Sequence, residues 1–510
     1  MGPINRHKTR RRFTEERGVY IFPENAPGKK LFVCRPLPKL ELFVYAFIIA
    51  CTIAYMWFKV YEVSSTYPWR RCAYNFQWKK SWLLGKRLKD VSDRGWREWH
   101  SLACRVLPFY LLHFVLFNFG SKFLPHAAWS MTVFIFWTCA LCHIYGSSVV
   151  FVTAVFGVAL YTVAKLSRNP TFIWSLTFGF LYGIIEHSQT LFDRTDSTEC
   201  ASETLFCAYA AVHFISCCMD SINSKLFDNG HFAEGLYAMF WYSFYLPYHV
   251  VLIVPFKDFT QQLNQRKQLN TRGLWSTILF GLRILVWYFF HLRFVVTCGM
   301  HAFFARLDAM QPMALPICVS RVILYSKIWR SFDRGLYLFF KQYVIYPICA
   351  PTFSVPRRLL AMLVCFSFVH VWHGLSLSTF VWISMNIVEI LLENVCKAVY
   401  TVSSVRRWRE DHLSDGMFRR MLALAYVVPY YLSLYSNFYF LSSSQAGFIY
   451  VKKIFYEDTL KMKFPFLLLT FLGYCYGNLV MEVDDYLERK NNQAKGPERD
   501  DSQQPLKTMK

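Results

Sequence analysis

The sequence is poor in charged residues and rich in apolar ones. Only 17% of its 510 residues are Asp, Glu, Lys or Arg, whereas 55% are hydrophobic and 19% are aromatic. Soluble proteins carry roughly 25% charged residues. Uncharged runs such as Leu42–Phe58 approach the length of a membrane-spanning helix. Composition therefore excludes a soluble or disordered chain and predicts an all-α polytopic membrane protein with about ten to twelve membrane-embedded helices.

Several functional patterns are missing. There is no Walker A, G-x-S-x-G or G-x-G-x-x-G pattern, so phosphate-loop nucleotide binding and serine-elbow hydrolysis have no support. The 16 cysteines show no framework spacing, and most lie inside apolar runs as small hydrophobic residues. We expect no cleavable signal peptide, because the first apolar run begins only at Leu42, after the charged stretch Arg10–Arg12.

The net charge of +23 is distributed between the apolar runs. Cations placed there are better explained by the membrane surface and its anionic head groups than by nucleic acid. We therefore expect membrane lipids, and no nucleic acid, among the partners.

The charge pattern divides the chain into a basic N-terminal tail (1–40), one membrane-embedded domain (41–488) and a polar, disordered C-terminal tail (489–510). Within the domain, residues 61–105 interleave tryptophans with cations, which favours helices lying in the head-group region over a solvated basic loop. Candidate spans such as Leu236–Pro255 and Leu274–Thr297 follow. Several others are shorter than the ~20 residues that crossing requires, so some are predicted to be re-entrant or buried.

Ionisable residues inside apolar runs are costly and mark candidate sites. His373 precedes a glycine at the end of the apolar run Leu359–Val371. Burial lowers the pKa of an imidazole and keeps it neutral, which suits a general base. Asp333 is a candidate to orient such an imidazole or to relay its proton.

Structural interpretations of the same residues remain open. A histidine in an apolar segment is often a hydrogen-bonded core residue, and Asp333 is flanked by two possible ion-pair partners, Arg330 and Arg334. His370 and His373 have the i, i+3 spacing of a metal pair, but no carboxylate or cysteine accompanies them within a turn, so we predict no metal site.

The segments Trp329–Tyr337 and Trp372–Gly374 resemble motifs of a known family. Trp372-His373-Gly374 is similar to the histidine signature of the membrane-bound O-acyltransferase superfamily. Trp329–Tyr337 resembles the W-x-x-F-D-x-G-L segment of its hedgehog acyltransferase branch, the protein-cysteine N-palmitoyltransferases. Further residues that match this branch are Pro316–Ser320, Trp382, Asn386, Glu393, Asn394 and Asn437.

The resemblance implies a multi-helix fold with a transmembrane catalytic tunnel in the endoplasmic reticulum membrane, with the Golgi membrane as the alternative location. It implies transfer of palmitate from palmitoyl-CoA to the N-terminal cysteine amine of a secreted Hedgehog-type signalling protein. By motif, His373 is the catalytic histidine and Asp333 its acidic partner. No cofactor is required for the chemistry, although Cys318 matches a cysteine associated with haem. The residues expected to line the tunnel are Trp329, Trp372, Asn386 and Asn437.

Two departures and two alternatives accompany this assignment. The branch has Gly-Pro where this chain has Val254-Pro255, and Gly-Gly where it has Ser442–Ser444. The first alternative is an O-acyltransferase that acts on a lipid or another protein hydroxyl. The second is a transporter that uses His373 and Asp333 in a proton relay, which the lack of an inverted repeat disfavours.

Overall fold

The computed structural model describes eleven parts of the chain, with gaps between them. They are residues 36–66, 76–81, 85–90, 94–192, 201–224, 232–265, 292–317, 322, 324–441, 444–456 and 460–495. The predicted N-terminal tail therefore lies outside the described residues up to position 35.

The described residues are almost entirely helical, which confirms the predicted fold class. The helices of the N-terminal half are α1 (Lys39–Thr66), α2 (Arg94–Phe123), α3 (His126–Tyr145), α4 (Ser147–Ser167), α5 (Pro170–Leu191), α6 (Ala201–Ser224), α7 (Phe232–Ser243), α8 (Phe256–Asn264) and α9 (Leu292–Leu307). Those of the C-terminal half are α10 (Tyr325–Phe332), α11 (Arg334–Phe340), α12 (Tyr346–Cys349), α13 (Val355–Trp372), α14 (Leu377–Thr401), α15 (Ser403–His412), α16 (Asp415–Leu441), α17 (Ser444–Val451) and α18 (Leu460–Lys495).

Eight of the described helices are long and apolar enough to cross a membrane. They are α1, α2, α3, α4, α6, α13, α14 and α18. The most deeply buried of them is α6, in which 89% of an 18-residue apolar stretch is buried inside the protein. The predicted span Leu274–Thr297 is described only from Leu292 onward.

The predicted interfacial helix between residues 61 and 105 is wrong in its central part. α1 continues to Thr66, and an antiparallel hairpin of β1 (Phe76–Ser81) and β2 (Gly85–Asp90) precedes α2. Phe76 and Trp78 alternate with polar residues along β1, a period of two that suits a strand. Gly85 begins β2 with a φ of +69°. The basic residues therefore face one another across the hairpin, with Lys80 opposite Lys86.

The predicted span Leu236–Pro255 is broken rather than continuous. α7 ends at Ser243, a short 3₁₀ turn covers Leu246–Tyr248, and Val251 adopts a φ of +70° before the chain extends to Pro255. Residues 244–250 and 252–256 are all buried. Irregular backbone at membrane depth is tolerated where protein covers it, so this run is buried rather than spanning.

A polar cluster, the Asp308 cluster, lies inside the N-terminal half and joins four of its parts. Asp308 and His113 are fully buried, and Asp308 Oδ2 lies 2.7 Å from His113 Nε2. The Tyr245 hydroxyl donates to the same oxygen at 2.6 Å, and Asn118 Nδ2 donates to Oδ1 at 2.8 Å. The Trp137 indole donates to His113 Nδ1 at 2.9 Å. The cluster holds α2, α3 and the end of α9 against the residues that follow α7.

The C-terminal half brings its long helices together. α14 packs on α16, α16 packs on α18, and α18 packs on α1. Arg420 on α16 forms a bidentate ion pair with Glu41 on α1. Its Nε lies 2.8 Å from Glu41 Oε1, and its Nη2 contacts Glu41 Oε2. α18 continues to Lys495, so residues 489–495 of the predicted disordered tail are helical, and residues 496–510 lie outside the described residues.

Candidate active site

His373 is placed by the end of α13. Its backbone N–H donates to the Val369 carbonyl at 3.1 Å and closes the last helical turn. Gly374 and Leu375 then adopt left-handed φ angles of +89° and +54°, and the Leu375 N–H bonds back to the His370 carbonyl. A helix that ends on a left-handed glycine turns the chain away at once. The imidazole therefore projects from the helix end, and Gly374 is the residue type that this turn favours.

The His373 ring lies against a pair of stacked aromatic rings. Its edge meets Trp382 at 5.5 Å between ring centroids and Phe440 at 5.3 Å, while these two rings stack on each other at 4.1 Å. His373 is an exposed residue, so its imidazole is accessible beside this aromatic pair.

His373 differs from its neighbour His370 in its hydrogen bonds. His370 Nδ1 lies 3.2 Å from the Thr379 hydroxyl, and its ring packs on Phe380. Neither ring nitrogen of His373 has a hydrogen-bond partner among the described residues. The hydrogen-bonded core histidine that sequence reasoning left open is therefore His370, and His373 is the one with nitrogens available to a substrate.

Two of the predicted tunnel residues join the His373 surroundings. The Trp329 indole on α10 donates to Asn386 Oδ1 on α14 at 3.1 Å. The Trp329 ring meets Phe366 edge to face at 4.9 Å and lies 5.7 Å from Trp382, the ring that also contacts His373. Asn386 is 3% exposed. We call His373, Trp329, Trp382, Asn386 and Phe440 the His373 site.

The other two predicted tunnel residues border this site. Asn437 is half-buried on α16, three residues before Phe440. Trp372, the last residue of α13, packs edge to face on Tyr209 at 4.9 Å. Tyr209 is buried on α6, and sequence reasoning did not single it out because it is one of several aromatic residues in an apolar run.

Asp333 is positioned by the short helix that follows it. It is the N-cap of α11, where its Oδ1 accepts from the Leu336 N–H at 2.8 Å. A carboxylate at this position satisfies a helix N–H that would otherwise lack a partner. The hydrogen bonds of the Asp333 carboxyl go to its own turn rather than to Arg330 or Arg334, so the ion-pair interpretation is not seen among the described residues.

The structure does not join Asp333 to His373 by a hydrogen bond. Asp333 lies within electrostatic range of Tyr209, which packs on Trp372, the neighbour of His373 in the chain. A direct hydrogen bond through which the carboxylate orients the imidazole is absent from the described residues.

A buried carboxyl that sequence reasoning missed lies one turn beyond Asn386. Glu389 is 2% exposed, and neither of its carboxyl oxygens has a hydrogen-bond partner among the described residues. Glu393, a further turn along α14, is instead bonded to the Ser326 N–H at 3.0 Å and to Lys397. The signal was the spacing of Trp382, Asn386, Glu389 and Glu393, which places all four on one helical face.

Cys318, which the resemblance associates with haem, lies outside the described residues. The departure at Ser442–Ser444 falls partly in the same category, since residues 442 and 443 are not described.

Comparison with known proteins gives three matches and one family. The model of the membrane-bound O-acyltransferase family matches residues 46–436. The chain is similar to the protein-cysteine N-palmitoyltransferase HHAT of Mus musculus, with 24% identity over 475 residues that cover 83% of this chain and 93% of the mouse protein. It is also similar to the protein-cysteine N-palmitoyltransferase Rasp of Drosophila melanogaster, with 22% identity over 81% of this chain and 89% of that protein. The membrane-bound O-acyltransferase GUP1 of Millerozyma farinosa matches 39% of this chain and 35% of its own length at 22% identity.

Proposed function

The chain belongs to the membrane-bound O-acyltransferase family, and within it we propose that this enzyme transfers a palmitoyl group from palmitoyl-CoA to the N-terminal cysteine amine of a secreted protein. Two relatives that extend over most of the chain are named as protein-cysteine N-palmitoyltransferases. The observation that carries the proposal is the unpartnered imidazole of His373, packed against the stacked rings of Trp382 and Phe440 beside the Trp329–Asn386 pair.

The proposed chemistry needs positioning and one proton transfer. The amine nitrogen attacks the thioester carbonyl carbon, the C–S bond breaks, and an amide and CoA form. An imidazole nitrogen of His373 takes a proton from the attacking amine and returns it to the sulfur of the leaving CoA thiolate. A thioester is already activated, so orientation of the two reactants supplies much of the remaining acceleration.

Asp333 has a separate part in the proposal. Its carboxylate lies within electrostatic range of Tyr209 and shares no hydrogen bond with His373. We therefore assign it an electrostatic role: its negative charge stabilises the cationic amine and the imidazolium that form during transfer. The fixed N-cap geometry keeps that charge in one place.

The acceptor and the compartment are part of the proposal and rest on the resemblance to the hedgehog acyltransferase branch. The acceptor is a Hedgehog-type signalling protein whose free α-amine has a pKa of about 7.7–8.0, so a usable fraction is uncharged near pH 7. A lysine amine, with a pKa of about 10.4, is almost entirely protonated there. We place the enzyme in the endoplasmic reticulum membrane, where a secreted acceptor passes.

The experiment uses purified full-length protein with labelled palmitoyl-CoA and two peptides. One peptide begins with a free cysteine, and the control peptide is the same sequence with its amine acetylated. The free peptide should gain palmitate in a hydroxylamine-resistant linkage, and the acetylated peptide should not. Equal labelling of both peptides would contradict transfer to the amine.

Acylation of a hydroxyl is the second candidate function. It is favoured by the match to GUP1, a relative named as an O-acyltransferase, although that match covers 39% of this chain. Adding lipid alcohols to the same assay distinguishes the two functions, because only an O-acyltransferase would label the alcohol. A transporter would label neither acceptor and release no CoA.

A further inference from the structure

We propose that residues 244–255, the irregular buried segment between α7 and α8, fix the position of the Asp333 carboxyl by pressing against Gly335. We call this segment the abutment. The inference rests on the proposed function, because that is what places Asp333 in the active site. It assigns a positioning role to residues that contact neither substrate nor His373 in the proposal.

The contact between the two elements is unusually close. A Cβ atom added at Gly335 would lie 2.3 Å from the backbone carbonyl oxygen of Ile253 and 3.0 Å from the Ile253 Cβ. Real Cβ atoms do not approach a backbone oxygen to that distance, so either the abutment or α11 must move when any side chain is present. Gly335 is therefore required for a close approach, and its φ is not in the left-handed range.

The Gly335 contact lies in the first turn of α11, whose backbone N–H binds the Asp333 carboxyl. Gly335 is two residues after Asp333 and directly precedes Leu336, whose N–H donates to Asp333 Oδ1 at 2.8 Å. Displacement of Gly335 moves the Leu336 amide with it. The carboxyl must then follow that amide or lose the bond, and in either case its charge changes position.

The abutment can transmit a position because its own backbone is anchored by side chains. The Tyr242 hydroxyl donates to the Val254 carbonyl at 2.5 Å, next to Ile253, and the Tyr110 hydroxyl donates to the Leu246 carbonyl at 2.9 Å. Just past the segment, the Phe256 N–H donates to Ser216 Oγ at 2.8 Å. Buried irregular backbone needs such partners, and they leave the segment little freedom to move.

A second link ties the far end of the same helix to the abutment. Asp220 Oδ2 accepts from the Lys257 N–H at 3.0 Å, at the start of α8, and from the Tyr343 hydroxyl at 2.8 Å. Tyr343 lies in the π-helical turn 341–345 that continues from α11. Gln342 Nε2 donates to the other oxygen of Asp220 at 2.9 Å. The helix that Asp333 caps is thus fixed against the abutment at Gly335. Two turns later it is linked through Asp220 to the start of α8.

The test is a double-mutant cycle of Gly335→Ala with Asp333→Asn. Asparagine keeps an oxygen that can accept the Leu336 N–H but removes the charge. In the wild-type background, Gly335→Ala should lower kcat by about 10-fold, and by no more than Asp333→Asn does, because it displaces the charge that Asp333→Asn removes. In the Asp333→Asn background it should cost less than about threefold, because the charge that it displaces is already absent. KM for palmitoyl-CoA should stay near the wild-type value in both backgrounds.

A matched control separates positioning from folding. Gly179 is also a helical glycine, on α5, but a Cβ there would meet nothing within 4 Å, so Gly179→Ala should leave kcat unchanged. If Gly335→Ala does not fold, Tyr242→Phe takes its place in the cycle, since it keeps the ring and removes only the donor to Val254. Equal losses in the two Asp333 backgrounds would overturn the proposal. So would an unchanged kcat per folded molecule.

Failure of the proposed function would be recognised separately. The cycle is measured with whichever acceptor the wild-type protein acylates, cysteine peptide or lipid alcohol. If the wild-type protein acylates the lipid alcohol and not the cysteine peptide, the N-palmitoyltransferase assignment is overturned. The double-mutant cycle then still tests the positioning role. If Asp333→Asn has no effect on either acceptor, the positioning role falls with the role of Asp333.

Discussion

The Asp308 cluster and the His373 site each hold a histidine among aromatic rings in an apolar protein, and they differ in how their polar atoms are satisfied. Both ring nitrogens of His113 have partners, Asp308 at 2.7 Å and Trp137 at 2.9 Å. Because an indole N–H can only donate, His113 Nδ1 is the acceptor and Nε2 carries the proton toward Asp308. In the His373 site neither ring nitrogen has a partner among the described residues.

That difference indicates which cluster has capacity for chemistry. Every hydrogen-bonding position of His113 is occupied and the residue has no accessible surface, so it stabilises the packing of its helices. His373 is exposed and its ring nitrogens have no partner among the described residues, so they are available to a substrate. Hydrogen-bond occupancy separates the two histidines where residue type and aromatic surroundings do not.

Removing the imidazole from the His373 site should have the largest effect on activity. His373→Ala is expected to lower acyl transfer by roughly 10²–10⁴-fold, the usual contribution of a general base. Thermal unfolding of the purified protein should change little, because no hydrogen bond is lost. His370→Ala is the matched control and should retain most activity. Parallel losses of activity and folded protein in both variants would place His373 with the structural histidines.

Removing the charge of Asp333 should have the next largest effect. Asp333→Asn is expected to lower transfer by about 10-fold to 10²-fold, the equivalent of ~1.5–3 kcal/mol for one interaction with a charged group. Equilibrium binding of a non-hydrolysable palmitoyl-CoA analogue should persist. Loss of that binding would indicate that the carboxyl supports the fold of the donor site instead.

The Asp308 cluster should respond in the opposite way. Trp137→Phe keeps an aromatic ring and removes the donor to His113 Nδ1. We expect a loss of about 1–3 kcal/mol in unfolding free energy, the cost of a buried acceptor left without its partner. Thermal unfolding and kcat per folded molecule should be measured together. A variant with normal stability and reduced kcat would break the distinction between the two regions.

Glu389→Gln should have the smallest effect on stability. Glutamine preserves the shape of the side chain, and the carboxyl oxygens of Glu389 have no hydrogen bond to lose among the described residues. The unfolding free energy should change by about 0.5 kcal/mol or less, whereas a loss above ~1 kcal/mol would reveal an occupied carboxyl. Glu393→Gln is the paired comparison, because Glu393 is bonded to Ser326 and Lys397.

Local sequence patterns predicted the residues around His373, but they did not predict contacts between residues far apart in the chain. The tripeptide Trp372-His373-Gly374 located the catalytic candidate, since one helix end and one left-handed glycine determine its geometry. Trp329 and Asn386 were also predicted, and they meet directly. The Asp308 cluster was not predicted, because His113 and Asp308 lie 195 residues apart and each is a single polar residue in an apolar stretch.

One error and one contact that the structure does not show have specific physical causes. The tryptophans and cations of residues 61–105 were interpreted by composition, and the period of two between Phe76 and Trp78 was overlooked. The expected alignment of Asp333 with His373 followed from motif roles alone. The first turn of α11 needs an acceptor for its free N–H groups. In the structure the Asp333 carboxyl accepts from the Leu336 N–H and forms no hydrogen bond with His373.

The ion pair between Glu41 and Arg420 has a consequence for biosynthesis. The two residues are 379 positions apart, so α1 meets its partner only after most of the chain has been made. At about 5–20 residues per second, that interval is on the order of a minute or less. During it α1 must persist in the bilayer by itself, and its 25-residue apolar stretch, 0% buried within the protein, suits that condition. The arrival of α16 and α18 then closes the assembly, so truncations before Arg420 should leave the first helix inserted but undocked.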